Sequence, residues 1–349
     1  MIWLAWRQFR WQAVTAGAAL AVIAIAFAAT GPGLVSRYDQ LGLPTCHAAA
    51  CTTLASDFIN DIKAGPDGIL FYAGLVLMYV VPALIGIFWG APLVARELEH
   101  GTHRLAWNQS ISRTRWAVAK LGLVGLASVA TAGLLSFAVS LWASPIDHAL
   151  SNGRPDTGKW APGLSPLMFG ARGVAPLGYA AFAFALGVTA GVLFRRTLPA
   201  MAVTLVIFAG IQVLMPTVVR PHLIPPVQAT APFNANTANE IVMTSSGNGP
   251  ATMIVKGNLS PPGGWILSNQ TITPSGRPFD GPPGRACTST SASAQACNNW
   301  LNSLHLRQLV SYQPASRFWP LQWIETAIYL VLAAGLAWLC TWQVRRRRY

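Results

Sequence analysis

Eight charged or titratable side chains crowd one short stretch of this chain, RELEHGTHRLAWNQSISRTR at 96–115: Arg96, Glu97, Glu99, His100, His103, Arg104, Arg113 and Arg115. Two kinds of chemistry are open to them. His100 and His103 stand at i, i+3 and could share a metal, though a solvated helix face explains them more simply. Acids flanked by bases can instead form a polar docking face. Other chemistries lack their motifs. No G-x-x-x-x-G-K-[ST] loop occurs, so this chain does not itself bind ATP in the usual manner. Neither H-E-x-x-H nor a G-x-S-x-G strand-to-helix turn is present.

The elements that carry this cluster are apolar. Only 10% of the 349 residues are charged and 53% are hydrophobic, where a soluble domain has about a quarter charged. The apolar residues gather in runs of about twenty, enough for a helix to cross roughly 30 Å of hydrocarbon. Six runs are read as spans: 13–31, 69–93, 116–143, 173–194, 197–216 and 323–342. The fold class is therefore an all-α polytopic membrane protein. Ionisable residues are nearly absent from the spans. Lys120 and Glu325 are placed close enough to a membrane face to snorkel or sit in the interface. A carrier or pump that energises itself usually keeps such groups near mid-membrane, so any transport would draw energy from elsewhere.

Charge orients the bundle. With the N-terminus inside, the cytoplasmic segments hold 13 Lys/Arg against Glu97 and Glu99, and the other side holds 11 bases and 9 acids. The positive-inside rule then puts both termini in the cytoplasm. The net charge of +13 reads as membrane topology rather than nucleic-acid binding. Ahead of the first span, MIWLAWRQFRW alternates aromatics with Arg7 and Arg10, which suits an interfacial helix over 1–12. It is taken as an uncleaved anchor rather than a signal peptide. The basic tail RRRR at 345–348 reads as a stop-transfer anchor.

Residues 217–322 form a mixed extracytoplasmic insertion punctuated by Pro, Gly, Ser, Thr and Asn. Within it EIVMT, ATMIVKG and GWILSNQTIT read as strands. SAQACNNWLNSLHLRQLVSY reads as a helix, with Trp300, Leu304 and Leu309 on one face. The segments 32–68 and 144–172 read as polar external loops. Four of the five cysteines, Cys46, Cys51, Cys287 and Cys297, fall on the oxidising side; 46–51 and 287–297 are the local pairings among three possible ones. Gly86/Gly90 and Gly187/Gly191 form GxxxG patterns for close helix approach, within the chain or across a dimer. Pro82 is expected to kink the second span.

The segment 95–115 is too long for a plain connector; Glu97 and Glu99 stand near its start and Arg113, Arg115 and Lys120 follow later, as a helix dipole favours. Gly101 divides it. It reads as a charged helix along the cytoplasmic face, either solvated or docked on a partner. Here the chain resembles the ATP-binding-cassette (ABC) type-2 export permeases, whose signature is acid-x-acid-x-Gly-Thr, then Ser-Arg and a Lys opening the third span. Glu97, Glu99, Gly101, Thr102, Ser112, Arg113 and Lys120 occupy those positions. Arg104 and Ser110 depart from the pattern, standing where an acid and a Pro are common. IWLAWRQFRWQA and YQPASRFWPLQWIET are similar to an actinobacterial branch, and 20 Arg against 4 Lys suit a GC-rich genome.

The resemblance implies that 95–115 is a coupling helix docking on a separate ABC ATPase through Arg96, Glu97, Glu99, Gly101, Thr102, Arg104 and Arg113. It implies ATP and Mg in that partner and no cofactor in this chain. It also implies a homodimer or a heterodimer with a related permease in the bacterial plasma membrane. Two rivals remain: a membrane signalling or mechanotransmitting protein with a sensory outer domain, and an intramembrane enzyme.

Overall fold

The computed structural model describes residues 2–46, 49–99, 113–152, 163–238, 240–244, 252–257, 259, 261–279, 285–288 and 293–346. The chain divides into two compact units, Met1–Leu223 with Phe318–Tyr349, and Ile224–Arg317. The second unit is shorter at both ends than the 217–322 insertion expected from hydropathy, and the end of the fifth apolar helix, through Leu223, belongs to the helical unit.

Six described helices are long and apolar enough to cross a membrane: Phe9–Gln40, Pro66–Glu97, Val118–Ser151, Ala175–Phe194, Thr197–Leu223 and Ala315–Arg345. The chain is an all-α polytopic membrane protein in its principal unit. The first helix, α1, runs unbroken over Ile2–Gln40. The separate interfacial helix expected at 1–12 is thus a correction: WQAVTAGAAL holds no proline, its one glycine is tolerated among alanines, and the amphipathic start continues into the apolar run. The segments read as polar loops also need correcting, because their described residues are mostly helical. Residues 49–64 form α2 (Ala49–Ala64), tied at its first turn by the Cys46–Cys51 disulfide. Its apolar stripe, Ala55, Phe58, Ile59 and Ile62, is buried among the neighbouring helices. A polar composition hid an amphipathic helix.

The second apolar run forms α3 (Pro66–Leu84), a π-helical stretch (Ile85–Gly90) and α4 (Ala91–Glu99). Pro82, expected to kink the span, lies inside α3, and the π-helical stretch begins three residues after it. The third run is α5 (Arg113–Asn152). A short turn, α6 (Pro166–Phe169), leads to α7 (Ala175–Phe194) and α8 (Thr197–Leu214). A second π-helical stretch (Met215–Val219) and α9 (Arg220–Leu223) extend α8, and α12 (Phe318–Arg346) closes the unit.

The core is built around α7, the one of the six with most of its surface covered; 78% of its apolar window is buried, against 6% for α1. The two GxxxG patterns meet each other there. A Cβ on Gly90 would lie 2.6 Å from the Phe184 carbonyl oxygen, and one on Gly191 2.6 Å from that of Ala91. Gly86 and Gly187 are in the same contact, with a Cβ on Gly187 driven into the Gly86 carbonyl oxygen. Both motifs therefore serve packing within the chain, bringing the π-helical stretch and α4 against α7 backbone to backbone.

The inserted unit holds a three-stranded antiparallel sheet in the order β1-β5-β4, with β1 at Val227–Pro232, β4 at Trp265–Ile272 and β5 at Arg307–Gln313. A two-stranded pair joins β2 (Glu240–Thr244) to β3 (Thr252–Lys256). The helix expected over 293–312 is corrected. Only α11 (Ala294–Ser303) is helical, and His305 at φ 48° turns the chain into β5. Leu306, Gln308 and Val310 are buried alternately, the period of a strand. Strand β1 had no reading because Pro232 punctuates it, and an edge position tolerates proline. The short helix α10 (Arg285–Thr288) is joined to α11 by the Cys287–Cys297 disulfide. Phe233, Met253, Val255, Leu301 and Leu306 give this unit its own core.

Candidate functional site

Arg96, Glu97 and Glu99, the start of the charge cluster that opened the sequence, lie at the end of the bundle marked by the Arg195-Arg196 turn. There α4 leaves the membrane with its small face, Ala91 and Ala95, fully buried. Two acids follow on its last turn, and both find partners inside the chain. Glu97 forms an ion pair with Lys120 of α5, whose side chain is 5% exposed. Lys120 is buried within the apolar run AVAKLGLV, where a lone ammonium would be costly and a paired one is tolerated. Glu99 Oε2 accepts from the Thr197 backbone N–H at 3.2 Å and from its hydroxyl at 2.8 Å. Thr197 opens α8, so this carboxylate caps the positive end of a membrane helix. Arg195, at φ 55°, makes the tight reversal from α7 that presents that end.

Arg96, on the same turn, is exposed. Residues 100–112 lie outside the described residues, and with them His100, Gly101, Thr102, His103, Arg104, Ser110 and Ser112. Arg113 is the first residue of α5.

The opposite end holds a second charged cluster that sequence reading missed. Arg220, 1% exposed, reaches Glu325 of α12, 0% exposed, with Nε at 2.7 Å and Nη2 at 3.0 Å. Tyr179 of α7 donates to Glu325 Oε1 at 2.5 Å, and Arg220 also donates to the Pro166 carbonyl at 3.1 Å. The guanidinium lies over the Phe169 ring at 4.1 Å. Beside it Gln322 accepts from the backbone N–H groups of Val174 and Ala175, satisfying the start of α7, and donates to the Phe169 carbonyl. Arg172, buried, pairs with the partly exposed Asp147 at 2.7 Å. The expectation that Lys120 and Glu325 could snorkel is thus corrected: each is buried in an ion pair near the end of its span. One signal was available. Arg220 and Glu325 bracket the insertion with opposite signs at the same end of two spans.

A groove of about 640 Å³ between α1 and α5 is lined by apolar side chains including Leu20, Phe27, Val35, Leu134, Phe137 and Trp142. Its indole N–H is already donated to Thr30. Among the described residues no three His, Cys, Asp or Glu side chains converge to hold a metal ion.

Five apolar helices around a buried sixth, with charge gathered at their ends, define a multi-pass membrane protein. A family model described as ABC-2 membrane transporter related matches residues 17–220. That is more than half of the chain, which belongs to this family. No curated protein and no solved structure matches it.

Proposed function

We propose that this chain is the membrane-spanning subunit of an ABC exporter, coupled to a separate ATPase that binds ATP and Mg. The family match across spans one to five carries this reading. On it, the Arg195 end faces the cytoplasm of a bacterial cell, as the excess of Arg and Lys there supports. Both termini then lie inside, and the inserted unit lies outside. Arg96, Glu97, Glu99, Gly101, Thr102, Arg104 and Arg113 belong to the segment that meets the ATPase. Two permease chains, alike or related, would form the substrate path, and rocking driven by the ATPase would move substrate outward. The spans suit a lipophilic substrate.

The test is co-expression with a Walker A ATPase encoded beside this chain. Joint purification from membranes, with ATP turnover that depends on Mg, is the expected result. A chain that purifies alone, with no neighbouring ATPase retained, overturns the reading.

A further inference from the structure

Glu97 and Glu99 stand two residues apart on the last turn of α4 and engage two different membrane helices. The Glu97 contact is a charge pair with Lys120 on α5, largely shielded from water. The Glu99 contact is a cap on the first residue of α8. Between them α4 is held against α7 by backbone contact at Gly191, so it cannot slide without moving its neighbours. Helix α4 also continues, through the π-helical stretch, directly into α3. A push on the segment after Glu99 therefore has two lateral outlets besides its own span.

We infer that Glu97 and Glu99 are positioning residues that act inside the permease, tying the coupling segment to α5 through Lys120 and to α8 through Thr197. This rests on the reading that an ATPase docks at this end. It departs from the simpler idea that the two carboxylates dock on the ATPase themselves. The division of labour follows from chemistry: a buried pair gives a stiff link to α5, and an exposed cap gives a softer link to α8. Docking on the ATPase then does not depend on these two carboxylates.

The experiment uses the full chain purified with its ATPase and reconstituted in lipid. Cys340→Ala removes the free thiol, and spin labels at Leu141 on α5 and Val213 on α8 report their separation with and without ATP plus vanadate. Lys120→Met and Thr197→Val keep both carboxylates; Glu97→Gln and Glu99→Gln keep both partners. The expected result is that the two members of each pair behave alike. Lys120→Met and Glu97→Gln should cut the nucleotide-driven change about fivefold or more. Thr197→Val and Glu99→Gln should cut it roughly threefold. All four should retain the ATPase. The exchange Glu97→Lys with Lys120→Glu should restore the response, which guards against misfolding of the single variants.

The inference is overturned if Lys120→Met and Thr197→Val respond as native while the glutamine variants lose the ATPase. It is equally overturned if the charge exchange fails to restore the response in a complex that still assembles. If the native chain retains no ATPase at all, the permease reading fails first, and that result is distinct from both.

Discussion

At the scale of single residues, two chemistries hold the membrane unit together, and each makes a sharp prediction. The glycine contact leaves no room for a side chain. Gly187→Leu forces a Cβ into the Gly86 carbonyl, so it should lower stability by about 1–3 kcal/mol or prevent folding. Gly335→Ala, where a Cβ meets nothing within 4 Å, should be neutral or slightly stabilising. Thermal aggregation in detergent, read by size-exclusion fluorescence, separates the two. The Arg220–Glu325 pair is a different case. Removing one charge leaves the other buried without its partner, so Arg220→Met should cost about 3–5 kcal/mol. Arg220→Met with Glu325→Leu removes both charges and should recover much of that loss in the same assay. A double variant no more stable than the single one would show that the Tyr179 and Pro166 contacts dominate.

At the scale of elements, α7 depends on others for its start. Its first N–H groups have no partner within the helix, and the Gln322 carbonyl oxygen on α12 accepts from Val174 and Ala175. Gln322→Leu should destabilise by about 1–2 kcal/mol and increase hydrogen exchange at the first turn of α7. Unchanged exchange there would mean that the cap contributes nothing. Helix existence was legible for every span because hydropathy over twenty residues is a local property. Boundaries were less so. Helix α1 extends through residues read as an interfacial segment and as loop, and α2 was hidden because its polar face dominates its composition. In the insertion, β5 was read as helix from Trp300, Leu304 and Leu309. The burial that matters is that of Leu306, Gln308 and Val310, and Gln308 does not look like a core residue in sequence.

At the scale of the molecule, the two units have separate cores. The inserted unit is closed by Cys287–Cys297 and by the buried cluster around Met253 and Leu301. Cys297→Ser should loosen that unit by about 3 kcal/mol through the freed chain, while the six-span unit keeps its thermal midpoint. Limited proteolysis would read both: faster cleavage within 224–317, unchanged cleavage elsewhere. Equal acceleration in both units would show that their stabilities are linked.

The apolar runs, the end-weighted charge, the cysteine spacing and the GxxxG patterns are written in single segments of the chain, since each depends on a residue and its near neighbours. From these came the membrane class, the number of spans and a signature pointing to the family. What no segment contains is the choice of partner. That Gly86/Gly90 meet Gly187/Gly191, that Glu97 pairs with Lys120 while Glu99 caps α8, and that Arg220 finds Glu325 across 105 positions all depend on how helices cross. A charge in a lipid-immersed fold must be paired, but which opposite charge it meets is set by backbone geometry far away in sequence.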